Sequence, residues 1–164
     1  MASWGEVAKA DCELVEFGRE LFEQFGIAFL GTVRKDGGPR IHPVCPMIVQ
    51  GHLIVGIAIT SPKRFDLCNN GRYVLHALPG PNDAEFFVRG HAVQVNNPDI
   101  QAIVAAVVAN AGVAIREDTL FELDIELAHL VVYELCENPG QAGLVPRRRQ
   151  WKSFSPCPHS PSTQ

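Results

Sequence analysis

Apolar positions first recur at helical spacing. Val7, Leu14, Phe17, Leu21, Phe22 and Phe25 stand three and four residues apart or at multiples of a turn, which predicts one amphipathic helix over residues 3 to 25. Ser3 with Glu6 fits a capping box at its start, and Gly26 fits its end. The period then shortens. "IAFLGTV" (27–33) reads as a strand running into "RKDGGPR", where Asp36-Gly37 signals a hairpin. "RIHPVCPMIV" (40–49) returns as the partner strand. Pro43 and Pro46 each lack an N–H, so this strand is an edge or is bulged. "QGH" (50–52) is a second tight turn into "LIVGIAI" (53–59), which completes a three-strand meander.

Beyond the meander the pattern alternates between short helix and strand. "PKRFDLCNN" (62–70) reads as a helix with Ser61 before it as cap, Pro62 at its first position and Asn70-Gly71 as its close. "RYVLHAL" (72–78) is a strand and "PGPND" (79–83) a turn. "AEFFVRGHAVQV" (84–95) is a long strand interrupted by Gly90, a residue that inside a strand often marks a bulge. Residues 97–112 read as a helix capped by Asn97 or Asn96, and 120–135 as a last strand. The expected architecture is mainly β (α+β): a small six-stranded antiparallel barrel flanked by three helices. Residues 1–137 form the domain. Residues 138–164 read as a tail rich in Pro and Arg, with the last ten residues disordered.

Composition narrows the function classes. The chain has 164 residues, 46% of them hydrophobic, which suits a single domain with a real core. A net charge of −4 argues against a broad grip on nucleic acid, and the basic run "PRRRQWKSF" (146–154) reads as a solvated tail. Five scattered cysteines, an odd number with no CxxC, point to reduced thiols in the cytoplasm. The first residues are too charged for a secretory leader, and "IQAIVAAVVANAGVAI" is too short and too polar to span a membrane. The six histidines form no HExxH and no close pair, so a metal enzyme is not indicated. GxSxG, GxGxxG and Walker-type loops are absent as well.

Three stretches carry candidate chemistry. In "ITSPKRFDL" (59–67), Thr60, Ser61, Lys63 and Arg64 stand where a strand gives way to a helix. A helix N-terminus attracts anions, and two cations in a first turn are unfavourable unless an anion offsets them. The competing reading is an ordinary capped helix with solvated bases. In "PRIHPV", Arg40 and His42 share one face of the strand, with Ile41 and Val44 assigned to the other. That leaves either a polar cleft or a plain solvated face. "RGHA" puts Arg89 and His91 on one face around Gly90.

In this order, the "GTVRKDGGPRIHPV" hairpin, "SPKRFDLCNNGRYVL" and "VRGHAVQV" resemble the pyridoxamine 5'-phosphate oxidase-like family of flavin-binding split β-barrels, over residues 20 to 135. The resemblance implies a homodimer with flavin mononucleotide (FMN) at the subunit interface. It implies an oxidoreductase that passes hydride to or from a small conjugated or heteroaromatic substrate. Ser61 and Lys63 match positions that contact the FMN phosphate, Thr60 a second hydroxyl contact, and Arg40, His42 and Val44 the strand beside the ring. Many family members have Arg between the Ser and the Lys. Pro62 stands there in this chain, and Arg64 can replace that charge. No catalytic residue is assigned. The same fold also serves deazaflavin-dependent reductases and non-catalytic haem or flavin binders, in which His42 or His91 would be the axial ligand.

Overall fold

The structure, a computed structural model, describes residues 1–112, 117–138 and 141–153. The amphipathic segment forms two helices, α1 (Trp4–Ala10) and α2 (Cys12–Phe25), where the periodicity predicts one. Asp11 breaks it. Its backbone leaves the helical region, and its carboxylate accepts the Leu14 N–H at 3.2 Å, which starts a second helix. The Ser3–Glu6 capping box is present, and Gly26 ends α2 at φ 65°.

Seven strands follow in one path, with an eighth beside it: β1 (Ala28–Val33), β2 (Pro39–Val44), β3 (Pro46–Val49), β4 (His52–Ala58), β5 (Arg72–Ala77), β6 (Glu85–Gln94), β7 (Asp118–Asn138) and β8 (Gln141–Lys152). All pairings are antiparallel, in the order β2-β1-β5-β6-β7-β4-β3, with β8 on β7. Helices α3 (Pro62–Asn69) and α4 (Pro98–Asn110) complete the chain, with a short 3-10 turn at Pro81–Asp83. The architecture is the expected antiparallel split barrel with flanking helices, but the sheet has eight strands.

Both extra strands have physical causes. Residues 40–49 are two strands: β2 pairs with β1, and β3 with β4. Cys45 lies between them, so the chain crosses there from one edge of the sheet to the other, and the expected continuous meander does not form. Part of the supposed tail is β8. It continues the ladder from Leu127↔Lys152 to Asn138↔Gln141, across the boundary expected at residue 137. The last ten residues lie outside the described residues. The long β7 thus has three neighbours along one side: β4 over Asp118–Glu122, an Ala2–Ile125 bridge, and β8.

The core sits between α1–α2 and the inner face of the sheet. Trp4, Phe22 and Phe86 meet there with ring centroids 5.6 to 6.2 Å apart. Gly18 is required beneath them, because a Cβ at that position would lie 2.2 Å from the Phe86 ring. A smaller cluster places Val104 of α4 against Val49 and Ile54. The register shifts between Arg89 and Gly90, where Leu127 and then Ile125 are their partners, so the extra residue, Glu126, bulges out of β7 opposite Gly90, and β6 itself stays regular against β5. A Cβ on Gly90 would lie 2.0 Å from the Asp124 carbonyl oxygen, which explains the glycine. No helix among the described residues is long and apolar enough to cross a membrane.

Candidate functional site

The site begins where β4 runs out. A turn, with Ser61 N–H donating to the Ala58 carbonyl at 2.9 Å, delivers the chain into α3 with Pro62 at its first position. Ser61 occupies the cap position, but its hydroxyl caps no N–H of the helix. Thr60 is exposed, and Ser61 and Lys63 are half-buried. Arg64 turns the other way. Its Nε donates to Thr119 Oγ1 on β7 at 2.7 Å, and its guanidinium lies 5.5 Å from the Phe65 ring centroid. Arg64 therefore already has partners, and the compensating charge expected in place of the missing family arginine is tied to β7.

Asp66, one helical turn past Pro62, organises the rest. It is 6% exposed, and its Oδ2 accepts from Thr32 Oγ1 at 2.8 Å and from Arg40 Nε at 2.7 Å. A carboxylate this buried needs such partners to offset its desolvation. The bonds fasten β1, β2 and α3 together. They also fix the Arg40 guanidinium by one edge. Arginine has five N–H donors, so its terminal nitrogens remain able to serve a further acceptor.

Arg40 lies on the wall of two grooves. The first, about 530 Å³, runs between the β1–β2 turn and α3, lined by Arg34, Lys35, Asp36, Arg40, Phe65 and Asn69 among others. The second, about 490 Å³, opens at the β2–β1–β5 edge over Gly31, Ile41, Tyr73 and Val74, with Arg72 and Arg89 at its side. Tyr73 donates its hydroxyl to the Asp124 carbonyl at 3.2 Å. Burial raises its phenol well above the usual range, so it stays neutral. Volumes of this size suit a small molecule or cofactor fragment.

The sequence-derived set is only partly gathered. Asp66 joins Arg40 to α3, which begins among Thr60, Ser61, Lys63 and Arg64. Of the set, Arg40 lines both grooves, whereas Thr60, Ser61, Lys63 and Arg64 at the start of α3, and His42 and Val44 further along β2, line neither. Val44 is on the same face as Arg40 and His42, because their partners are Ala28, Thr32 and Leu30, and it is buried. The expectation that it sits opposite them, with Ile41, is corrected by the two-residue repeat of the strand. Of Ile41 and Val44, only Ile41 is on the other face, 66% exposed. His91 packs its ring on Gly71, where a Cβ would lie 2.2 Å from it. Sequence reasoning missed Asp66, Thr32, Phe65 and Asn69. It had Arg34 and Lys35 only as hairpin residues. Among the described residues no group of His, Cys, Asp and Glu is placed to hold a metal.

No family model matches the sequence, and no curated protein matches it. Solved structures do match the fold. A Clostridium acetobutylicum protein related to general stress protein 26 of B. subtilis, of the pyridoxinephosphate oxidase family, is 15% identical with a TM-score of 0.59. The match covers 85% of this chain and 93% of that one. HutZ, the heme storage protein of Vibrio cholerae, is 16% identical with a TM-score of 0.56, over 69% of this chain and 90% of its own. A heme-binding protein of Mycobacterium smegmatis is 14% identical with a TM-score of 0.57, over 77% of this chain; the match spans about half of that protein, 52%. The chain therefore has the split-barrel fold that proteins of the pyridoxamine 5'-phosphate oxidase family share with heme-binding proteins.

Proposed function

We propose that the chain is an FMN-dependent oxidoreductase, acting as a homodimer with the cofactor at the subunit interface. Hydride would pass to or from a small conjugated or heteroaromatic substrate. The observation that carries this reading is Arg40, held by Asp66 on the wall shared by a basic groove and an apolar one. An amphipathic anion with a flat ring needs that pairing of surfaces. Arg40, Lys63 and the uncapped Ser61 hydroxyl would hold its phosphate, with Thr60 as a second hydroxyl donor. Gly31, Ile41 and Val74 would take apolar surface. Asp36 and Asp66 also line that groove and pair with Arg34 and Arg40, so the phosphate would sit toward the start of α3, where Ser61 and Lys63 stand outside the groove lining. A bound flavin supplies the redox chemistry, and the protein supplies orientation and electrostatics. That division of labour agrees with a grooved site that carries no nucleophile and base in contact. The His52–Glu122 pair, 2.6 Å apart, lines neither groove.

Titration of the purified chain with FMN, followed by flavin fluorescence and absorbance, tests the reading. Lys63→Ala should weaken binding by about 1–3 kcal/mol, the scale of a charge-assisted contact, with folding barely changed. Unaltered affinity in that variant would remove Lys63 from the phosphate seat, and no binding of FMN at all would end the proposal.

A second reading is a non-catalytic haem binder. The two heme-related fold neighbours favour it, and His42 and His91 are the candidate axial ligands. A Soret band on haem titration that disappears in a His→Ala variant would establish it. Tighter binding of a deazaflavin coenzyme than of FMN would instead indicate the deazaflavin-dependent reductase, whose anionic tail suits Arg34 and Lys35.

A further inference from the structure

Helix α3 lays one face along the basic groove. Pro62, Phe65, Asp66 and Asn69 line it at the spacing of a single helical stripe. From Pro62 to Asn69 that stripe runs about 10 Å, a span that a nucleoside fills. Its start adjoins Ser61 and Lys63, so a phosphate seated there leaves the groove ahead of it empty. Arg40 lines this groove and the apolar one. Two grooves that meet at one arginine suit a ligand with a ring at each end and anionic charge between them.

The side chains along the groove narrow the class of ligand. Phe65 is 51% exposed, and Arg64, anchored on Thr119, backs its ring at 5.5 Å from the centroid. An open ring braced from behind is a stacking platform for a planar base. One turn further on, exposed Asn69 carries an amide donor and acceptor side by side, the complement of an adenine edge. Across the groove, Lys35 is exposed and, among the described residues, makes no ion pair, so it can take a phosphate. Asp36 stands beside it. The Gly38 N–H, donating to its Oδ1 at 3.0 Å, and then Arg34 hold its carboxyl below the usual range, so it stays an acceptor. A fixed carboxylate next to a phosphate site suits ribose hydroxyls. Together Asp36 and Asp66 also disfavour a polyanion, because each would repel charge carried along the length of the groove.

We propose that the basic groove holds the adenosine diphosphate moiety of a redox dinucleotide. The base lies on Phe65 with its edge at Asn69, the ribose on Asp36, and the phosphates between Lys35 and Arg40. The proposal rests on the flavin reading above and extends it from one phosphate to two. The dinucleotide is either flavin adenine dinucleotide (FAD), whose flavin end takes the apolar groove, or a nicotinamide dinucleotide that serves as electron donor.

Calorimetric titration of the full chain with adenosine 5'-diphosphate (ADP) tests the groove without any flavin. ADP should bind, and adenosine should bind ~10-fold more weakly because it lacks the charge. Phe65→Ala should weaken ADP ~10-fold by removing the stacking surface, and Lys35→Ala ~5-fold. Both side chains are exposed, so the variants should fold as wild type does. FMN affinity should not change in Phe65→Ala. FAD that displaces ADP and binds ~10-fold more tightly than FMN identifies the flavin's own adenylate. NADH or NADPH that displaces ADP but not FMN identifies the donor's. Failure of ADP to bind, binding indifferent to both substitutions, or ADP that none of these dinucleotides displaces overturns the proposal. FMN titration alongside separates the two claims: FMN binding without ADP binding discards only the adenylate groove, and Phe65-dependent ADP binding without FMN binding discards only the flavin.

Discussion

Phe86 and Phe87 are neighbours on β6 with opposite surroundings. Phe86 is fully buried and meets Trp4 and Phe22 edge-on, with centroids 6.2 and 5.6 Å away. Phe87 points outward and lies flat between two histidine rings. The first contact set is dry and belongs to folding. The second is half-exposed, polar at its edges and left to face whatever approaches. One strand therefore presents a packed face and an open one by the alternation of its side chains.

The largest way to break the comparison is Phe86→Ala, which should cost about 3–5 kcal/mol in urea unfolding, since it empties a packed aromatic site. Phe87→Ala, on the open face, should cost about 1 kcal/mol or less. Equal losses for the two would mean that both faces serve the core. Asp66→Ala should cost about 1–3 kcal/mol, because it leaves Thr32 without its acceptor and releases Arg40. FMN affinity should fall with it if Arg40 must be held to bind. Gly90→Ala should cost about 1–3 kcal/mol by forcing β6 away from the Asp124 carbonyl at the β7 bulge.

The smallest expected effect is a pH dependence near that bulge. Burial first, then the Glu122 charge, raises the Asp124 carboxyl above its usual value; Glu6 adds to this, while the N-terminus and His91 oppose it. A raised folded-state value means the native chain holds its proton longer than the unfolded one. Stability therefore falls as pH rises from the ordinary aspartate value through the raised one, and the penalty stays above that. Asp124→Asn should remove this slope, so the melting temperature of the variant relative to wild type should be higher at pH 7 than at pH 3. A constant difference would mean that the carboxyl is not perturbed.

Much of this was legible in the chain. The hairpin glycine, the Ser-Pro start of α3 and the Asn97 cap each act through local backbone geometry, which residue type alone reports. Long-range pairing was not legible. Residues 40–49 showed their prolines, yet nothing local says that β3 finds β4 while β2 finds β1. "RRRQWK" read as a tail by composition, although β7 offered it a free edge and Arg149 reaches Asp11 with an N–O distance of 2.7 Å. The site divides the same way. The junction placed Ser61 and Lys63 at the start of α3, and neither lines a groove. Asp66 was not legible, since its partners lie 26 and 34 residues away and a helical aspartate ordinarily reads as surface.

The crossing at Cys45 has a mechanical consequence. The last residue of β2 and the first of β3 are joined through one residue, and successive Cα atoms are about 3.8 Å apart. The two margins of the sheet are thus stitched at that point and cannot part there. Any widening of the seam must pivot about the stitch and grow toward Pro39 on one side and Val49 on the other. The Pro39 end of β2 leads directly to Arg40, so the residue shared by both grooves sits on the swinging arm of that pivot.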